Sequence, residues 1–388
     1  MRLVVVHAEL GGPSSYYDDW VDAFARLDGA RCSFVPITSP LAGRTIARAR
    51  DADGIVLLHG CLADTVDLVE PITGALLDRR APLVAMMGNE YATPWAPLGP
   101  RIEWLGRVAP EVVGSQLPIA SARVLYRAGA RRVVSIPHGL NAGAFPAPPR
   151  RGRSVGIGVR GFPYPPQVLD GERERMIASA ARFAERFGFK ADIDLGRRLG
   201  RSEWAAFLGR CAFTVSTEAG ARWVDRADTA VRAIEPERLR PRRNALGRAL
   251  RHVPWRTKRR SYALLRRVGV RYRAAEAGRD HELAARYAAL DRPPGAVSGK
   301  CLTARHLDAV STRTVQLLAR GRYNDVLEPG THFIETDPDM SNAEDVVDAV
   351  RDDRRMERMA DAALEHVLAA HTVDHRVAAV VQALSDAV

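Results

Sequence analysis

Residues 297–342 read VSGKCLTARHLDAVSTRTVQLLARGRYNDVLEPGTHFIETDPDMSN. The stretch begins as a loop, Val297 to Thr303. It then predicts a helix with apolar positions at Leu307, Val310, Val315 and Leu318, ended by Gly321 and Asn324. Short extended pieces are expected around Asp325-Val326-Leu327 and His332-Phe333-Ile334. Lys300, Arg305, His306, Asp308, Ser311 and Thr312 crowd the loop and the start of that helix. Free N–H groups and the macrodipole make such a helix start attractive to an anion. Asp308, about one turn in, is placed to bond hydroxyls rather than phosphate. Two readings stand here: an anion-binding helix start, and an amphipathic helix with a polar outer face.

Working outward, the first 145 residues alternate short Val/Ile-rich runs with helical stretches. The expected strands are Leu3–Ala8, Arg31–Ile37, Gly54–His59, Leu83–Met87, Glu111–Ser115 and Arg132–Ile136. Helices are expected near Tyr16–Leu27, Gly43–Arg50, Ala63–Arg79, Arg101–Arg107 and Ile119–Ala128. This rhythm predicts a parallel, doubly wound sheet covered on both faces. Ligands of such sheets sit beyond the carboxyl ends of the strands. The loops to watch are therefore His7 to Ser15, His59-Gly60, Gly88 to Tyr91, Ser115-Gln116 and Pro137 to Gly139. In the first, Gly11 and Gly12 let a backbone approach a ligand, and Ser14 and Ser15 suit a helix cap. A plain tight turn accounts for the same residues. Neither G-x-G-x-x-G nor G-x-x-x-x-G-K-[ST] occurs, which disfavours dinucleotide and P-loop binding.

Pro146-Ala147-Pro148-Pro149-Arg150-Arg151 reads as an extended linker. The expected organisation is a first domain over 1–145, a linker over 146–153, a second domain over 154–373 and a terminal helix over 374–388 that packs back on the first domain. The second domain opens with a strand at Ser154–Val159. A helix follows at Gly171–Phe187, a strand at Ala191–Leu195, a helix at Ser202–Gly209 and a strand at Cys211–Val215. The end of the chain is expected to be helical over Asn342–Arg358 and again over Ala360–Val388.

The net charge of +11 is uneven. Residues 222–273 hold 17 Lys+Arg against 4 Asp+Glu, so +13 here against +11 overall leaves the remainder near −2. This basic insert, about 222–280, predicts two short helices with Trp255 between them. It admits three readings: a solvated Arg-rich hairpin, a patch for an anionic membrane surface, and a nucleic-acid patch, the least favoured. A chain of 388 residues, 46% hydrophobic, is long enough for two cores. It has no apolar run long enough to span a bilayer. The opening MRLVVVHAELGG reads as a strand rather than a leader, and Cys32, Cys61, Cys211 and Cys301 are scattered without a C-x-x-C pair. The expected location is cytoplasmic, peripheral at the membrane if the insert binds lipid.

Several segments resemble GT-B glycosyltransferases of the group 1 and spore-maturation types. Thr303-Ala304-Arg305-His306-Leu307-Asp308-Ala309 is similar to their S-x-R-x-F-E-A segment, and His371 to Arg376 to their H-T-x-x-x-R helix. Ile136-Pro137-His138-Gly139-Leu140-Asn141 through Phe145 resembles I-P-N-G-V-D-x-x-x-F, with His138 and Asn141 in place of the commoner Asn and Asp. Ile157 to Gly161 resembles I-G-x-R-G, and Thr217 to Ala221 resembles T-E-x-G-A. The resemblance implies two Rossmann-like domains facing a cleft. It also implies transfer of a sugar from a nucleotide diphosphate-sugar, without a metal ion or other cofactor, to a glycan, lipid-linked or small-molecule acceptor. Donor-binding candidates are Gly11, Gly12, Arg160, Glu218, Lys300, Arg305, Asp308 and Thr312. Arg160, Lys300 and Arg305 would neutralise the diphosphate, since guanidinium matches phosphate oxygens bidentately. Glu218 and Asp308 would hold hydroxyls. Retaining relatives carry Glu-x7-Glu; aligned on Asp308, the first position here is Lys300. Glu90 and His138 are the catalytic candidates, as general base near an acceptor hydroxyl. The alternatives are a non-catalytic polyanion-binding protein of the same fold and a nucleotide-sugar epimerase.

Overall fold

The computed structural model describes residues 1–8, 17–145, 147–150, 152–196, 199–237, 239 and 282–387. The first sheet has six parallel strands: β1 (Arg2–His7), β2 (Arg31–Pro36), β3 (Gly54–Leu57), β4 (Leu83–Met86), β5 (Val112–Ser115) and β6 (Arg132–Ser135). Their spatial order is β2-β1-β3-β4-β5-β6. β3, β4 and β5 are buried at every position, as strands covered by helices on both faces must be. The crossovers carry α1 (Asp18–Ala25), α2 (Ala42–Arg48), α3 (Thr73–Leu77), α4 (Gly99–Val108) and α5 (Ile119–Tyr126). The helix expected over Ala63–Arg79 shrinks to Thr73–Leu77, preceded by a short 3₁₀ turn, Glu70–Ile72. Pro71 explains this, because proline lacks an N–H and is tolerated only in a helix's first turn.

The second sheet has β7 (Val155–Arg160), β8 (Ala191–Asp194), β9 (Cys211–Ser216), β10 (Val315–Ala319) and β11 (Ile334–Thr336), in the order β11-β10-β9-β7-β8, all parallel. Its helices are α6 (Glu172–Phe187), α7 (Arg201–Arg210), α8 (Thr229–Ile234), α9 (Ala304–Ser311), α10 (Ala343–Arg351) and α11 (Asp353–Ala370); α12 (Val373–Ser385) closes the chain. The opening stretch is where expectation and structure part. The helix stops at Ser311, Arg313 turns left-handed at φ 54°, and Val315–Ala319 is a central strand paired to β9 and β11. Leu307, Val310, Val315 and Leu318 imitate a helical stripe, but TVQLLA is also a short apolar run, and pairing on both edges decides for strand. The extended piece expected at Asp325-Val326-Leu327 falls instead at a turn, with Tyr323, Asn324 and Asp325 at φ 47°, 55° and 57°.

The two halves are joined by more than the linker. α12 returns to the first domain, where Val373, Val377, Val380 and Leu384 share a core with Val5, Trp20 and Phe24. A Cβ at Gly54 would stand 2.2 Å from Leu384 Cδ2, so glycine admits the helix there. The two crossing segments pair at Leu140 and Thr372. Residues 219–224 and 297–301, which carry the insert, run antiparallel through Ala219–Cys301 and Val224–Val297 bridges. Ala221, Val224 and Cys301 pack into the first domain's core. Asp228 accepts hydrogen bonds from the Leu98 and Gly99 amides at 2.7 and 2.9 Å, so a second-domain carboxylate caps α4. The two helices expected in the insert, with Trp255 between them, lie outside the described residues.

Candidate active site

A cavity of about 490 Å³ opens beyond the carboxyl ends of β7 and β9, at the N-terminus of α9. Parallel α/β sheets place ligands at this end. Its walls come from the loop after β7 (Gly161 to Tyr164), from Ser216 at the end of β9 with Thr217 and Ala219 beyond it, and from Thr303 to His306. Trp204 and Leu208 of α7 close one side, and His138 reaches in from the first domain.

The α9 start is held rigidly. Thr303 is its N-cap, and His306 Nδ1 accepts from the Thr303 amide at 3.0 Å. The other ring nitrogen therefore donates to the Thr217 carbonyl at 3.1 Å. Burial lowers this histidine's pKa to about 4, so it is a neutral clamp between the two loops.

Two guanidinium groups meet at Gly161. Arg173 Nη1 donates to the Phe162 carbonyl at 2.7 Å, and Arg305 Nη1 to the Arg160 carbonyl at 2.9 Å. A Cβ at Gly161 would stand 2.1 Å from Arg173 Nη2 and 3.4 Å from Arg305 Nη1, so a side chain there would push the Arg173 guanidinium aside. Arg173, on the first turn of α6, was not singled out by its sequence context. The Arg173 guanidinium also lies 5.0 Å over the Tyr164 ring, and that of Arg305 5.7 Å over Trp204.

The other predicted cations are engaged elsewhere. Arg160 lines the cavity, but its Nη2 pairs with Asp192 Oδ1 at 2.6 Å, and its Nη1 donates to the Val159 and Asp192 carbonyls. Its guanidinium sits 4.0 Å over the Phe207 ring, tying β7 to β8 and α7. Lys300 forms a close ion pair with Asp170 and another with Glu172 at 3.6 Å, and does not line the cavity.

Asp308 faces the cavity from α9, and its Oδ2 accepts from Trp204 Nε1 at 2.9 Å. Burial pushes its pKa up to about 7, with the Asp19 carboxylate adding to the rise. Glu218 lies just outside; its Oε1 accepts from the Tyr323 amide at 2.7 Å and braces the left-handed turn. Thr312 falls at the far end of α9, where its hydroxyl donates to the Asp308 and Ala309 carbonyls, away from the cavity. His138 lines the cavity as a buried imidazole, and burial holds its pKa at about 4. It stacks on His59, ring centroids 6.5 Å apart. Glu90 does not line the cavity; its carboxylate accepts from Ser115 Oγ, the Gln116 amide and the Tyr126 hydroxyl at 2.6, 2.6 and 2.8 Å. Gly11 and Gly12 lie outside the described residues.

Residues that sequence reasoning passed over are Arg173, Trp204 and Gln316, all in the cavity wall. Gln316 had one available signal: a lone polar residue within the buried run VQLLA.

Residues 230–382 match a family profile described as glycosyl transferase-like. No curated protein matches the sequence. Among solved structures, HepE of Anabaena aligns over 100% of both chains. Its complex with UDP gives a TM-score of 0.54 at 11% identity, that with UDP and glucose 0.53 at 11%, and that with UDP-glucose 0.51 at 12%. Such a likeness speaks to the fold. The two parallel, helix-covered sheets therefore share the fold of HepE, and residues 230–382 are similar to a glycosyl transferase-like family.

Proposed function

We propose that this chain transfers a sugar from a uridine diphosphate-sugar to a glycan, lipid-linked or small-molecule acceptor, without a metal ion. The observation that carries the reading is the pair of guanidinium groups at Gly161, set beside the N-terminus of α9. A nucleotide-sugar leaves its diphosphate through an oxocarbenium-like state, and negative charge grows on the leaving oxygen. Fixed cations and helix N–H groups aimed at that oxygen stabilise the transition state most. Arg173 and Arg305 take this role in the proposal, and Asp308 accepts from a donor hydroxyl. Arg160, Lys300 and Glu218 support the walls rather than touch the donor. His138, neutral and on the acceptor side, is the proposed base; the buried Glu90 orders the loop after β5. Uridine is preferred among nucleotides because HepE, of like fold, is seen with UDP and with UDP-glucose.

The acceptor side extends the proposal to a surface-bound substrate. The insert over 222–273, with 17 Lys+Arg against 4 Asp+Glu, would hold an anionic membrane. Among the described residues no helix is long and apolar enough to cross one.

A thermal-shift series with UDP, GDP, TDP, CDP and ADP, with and without EDTA, tests the reading. UDP should stabilise the full chain by about 2.7 kcal/mol at a hundredfold excess over its Kd, whether or not EDTA is present. A folded sample that responds to none of them would contradict it.

A further inference from the structure

Gln316 is the second residue of β10, a strand buried at every position, and is 2% exposed. Its neighbours Val315 and Leu317 face the core beneath α6, α10 and α11. Strand alternation therefore turns Gln316 to the opposite face, where it lines the floor of the cavity beside its register partner Thr214. The Thr214 hydroxyl donates to the Gly158 carbonyl at 2.7 Å, so its proton is already engaged. Gln316 Nε2 is buried and has no hydrogen-bond partner among the described residues. An amide donor in such a place is costly unless something binds it. Asp308, also in the cavity lining, is an acceptor held by Trp204. The cavity thus offers cations at Gly161 and, on its floor and wall, an unpartnered amide donor and a carboxylate for an uncharged, oxygen-rich group.

We propose that Gln316 reads the donor: its amide N–H donates to a hydroxyl or carbonyl oxygen on the uncharged part of the nucleotide-sugar. This rests on the function proposed above. The test uses Gln316→Met, unbranched and of similar size, and Gln316→Glu, which replaces the donor by an acceptor. Calorimetric titration of the full-length variants with UDP and with UDP-glucose is paired with melting of the ligand-free chain. Gln316→Met should melt at or above the wild-type temperature, because it removes an unpartnered buried donor, while affinity falls about tenfold. A loss already present with UDP places the contact on the nucleoside; a loss confined to UDP-glucose places it on the sugar. Affinities within about twofold of wild type in both variants would overturn the proposal and leave Gln316 bonded to water alone. So would a lower melting temperature with unchanged affinity, which is the mark of a structural hydrogen bond. Should Gln316→Met not fold, Gln316→Glu decides alone: weakened binding in a folded chain supports the proposal and full binding sinks it. Wild-type chain that binds neither ligand would instead remove the donor reading itself, and this inference with it.

Discussion

Glu90, buried, and Asp308, half-buried, are carboxyls near the cleft, one in each domain, and desolvation raises the pKa of both. Their surroundings differ. Glu90 accepts from Ser115, Gln116 and Tyr126, and these bonds occupy both of its oxygens. Asp308 accepts from Trp204 through one oxygen and lines the cavity. The contrast separates a carboxylate that holds its own loops from one with capacity left for a ligand. Desolvation and a shifted pKa are common to both, so neither marks a site by itself; unused hydrogen-bonding capacity facing a cavity does. The cations divide differently, with Arg160 and Lys300 paired to the carboxylates of Asp192, Asp170 and Glu172, and Arg173 and Arg305 donating to the Phe162 and Arg160 carbonyls around Gly161.

The largest effect should come from Glu90→Ala. It strands a buried hydroxyl pair and an amide, each worth about 1–3 kcal/mol when left unsatisfied. Urea unfolding should show a loss of roughly 3–5 kcal/mol, with UDP affinity of the folded fraction unchanged. A variant of near wild-type stability would mean that Glu90 is not the loop's anchor.

A smaller effect concerns pH. Asp308 has a folded pKa of about 7 against the ordinary 3.8 of an aspartate, so the folded chain binds the proton more tightly than the unfolded chain does. Ligand-free stability contributed by this group should therefore be full below the unfolded pKa, fall as pH rises toward 7, and level off above it. Asp19, Glu90, Glu218 and Asp228 are shifted in the same direction and add to the slope. Asp308→Asn should flatten that slope in part, measured by unfolding at a series of pH values; an identical slope would remove Asp308 from the group.

Asp228→Ala should have the smallest effect, about 1–2 kcal/mol in unfolding free energy, the usual worth of a helix cap. Here the cap crosses between domains, from the insert's base to α4. An unchanged free energy would show that the contact adds nothing to the joining of the halves.

Much of the fold was legible in the sequence. The strands of the first sheet stand within a residue or two of their expected places, because runs such as LVVVH and GIVLL are apolar on both faces. β10 was not, since its Val315 and Leu318 continue the spacing of Leu307 and Val310, and only pairing in space separates strand from helix. The site was legible at its edges. Arg305, Asp308 and His138 reach the cavity because they sit at helix starts and strand ends, which sequence marks well. Arg173 lies 12 residues past Gly161 on a different element, and Trp204 reaches Asp308 across 104 residues. No local signal reports such contacts. Nor does sequence say that Asp192 already holds Arg160.

The claim that the donor's phosphates meet Arg173 and Arg305, rather than Arg160 and Lys300, is tested most directly by the UDP dissociation constants of Arg173→Met and Arg160→Met, measured side by side by calorimetry. Loss of a charged hydrogen-bond donor is worth about 1.5–3 kcal/mol, so Arg173→Met should weaken UDP roughly 10- to 100-fold. Arg160→Met should lose stability through the broken Asp192 contact while keeping its affinity within about threefold of wild type. Equal affinity in Arg173→Met and wild type, with the large loss in Arg160→Met, would contradict the account.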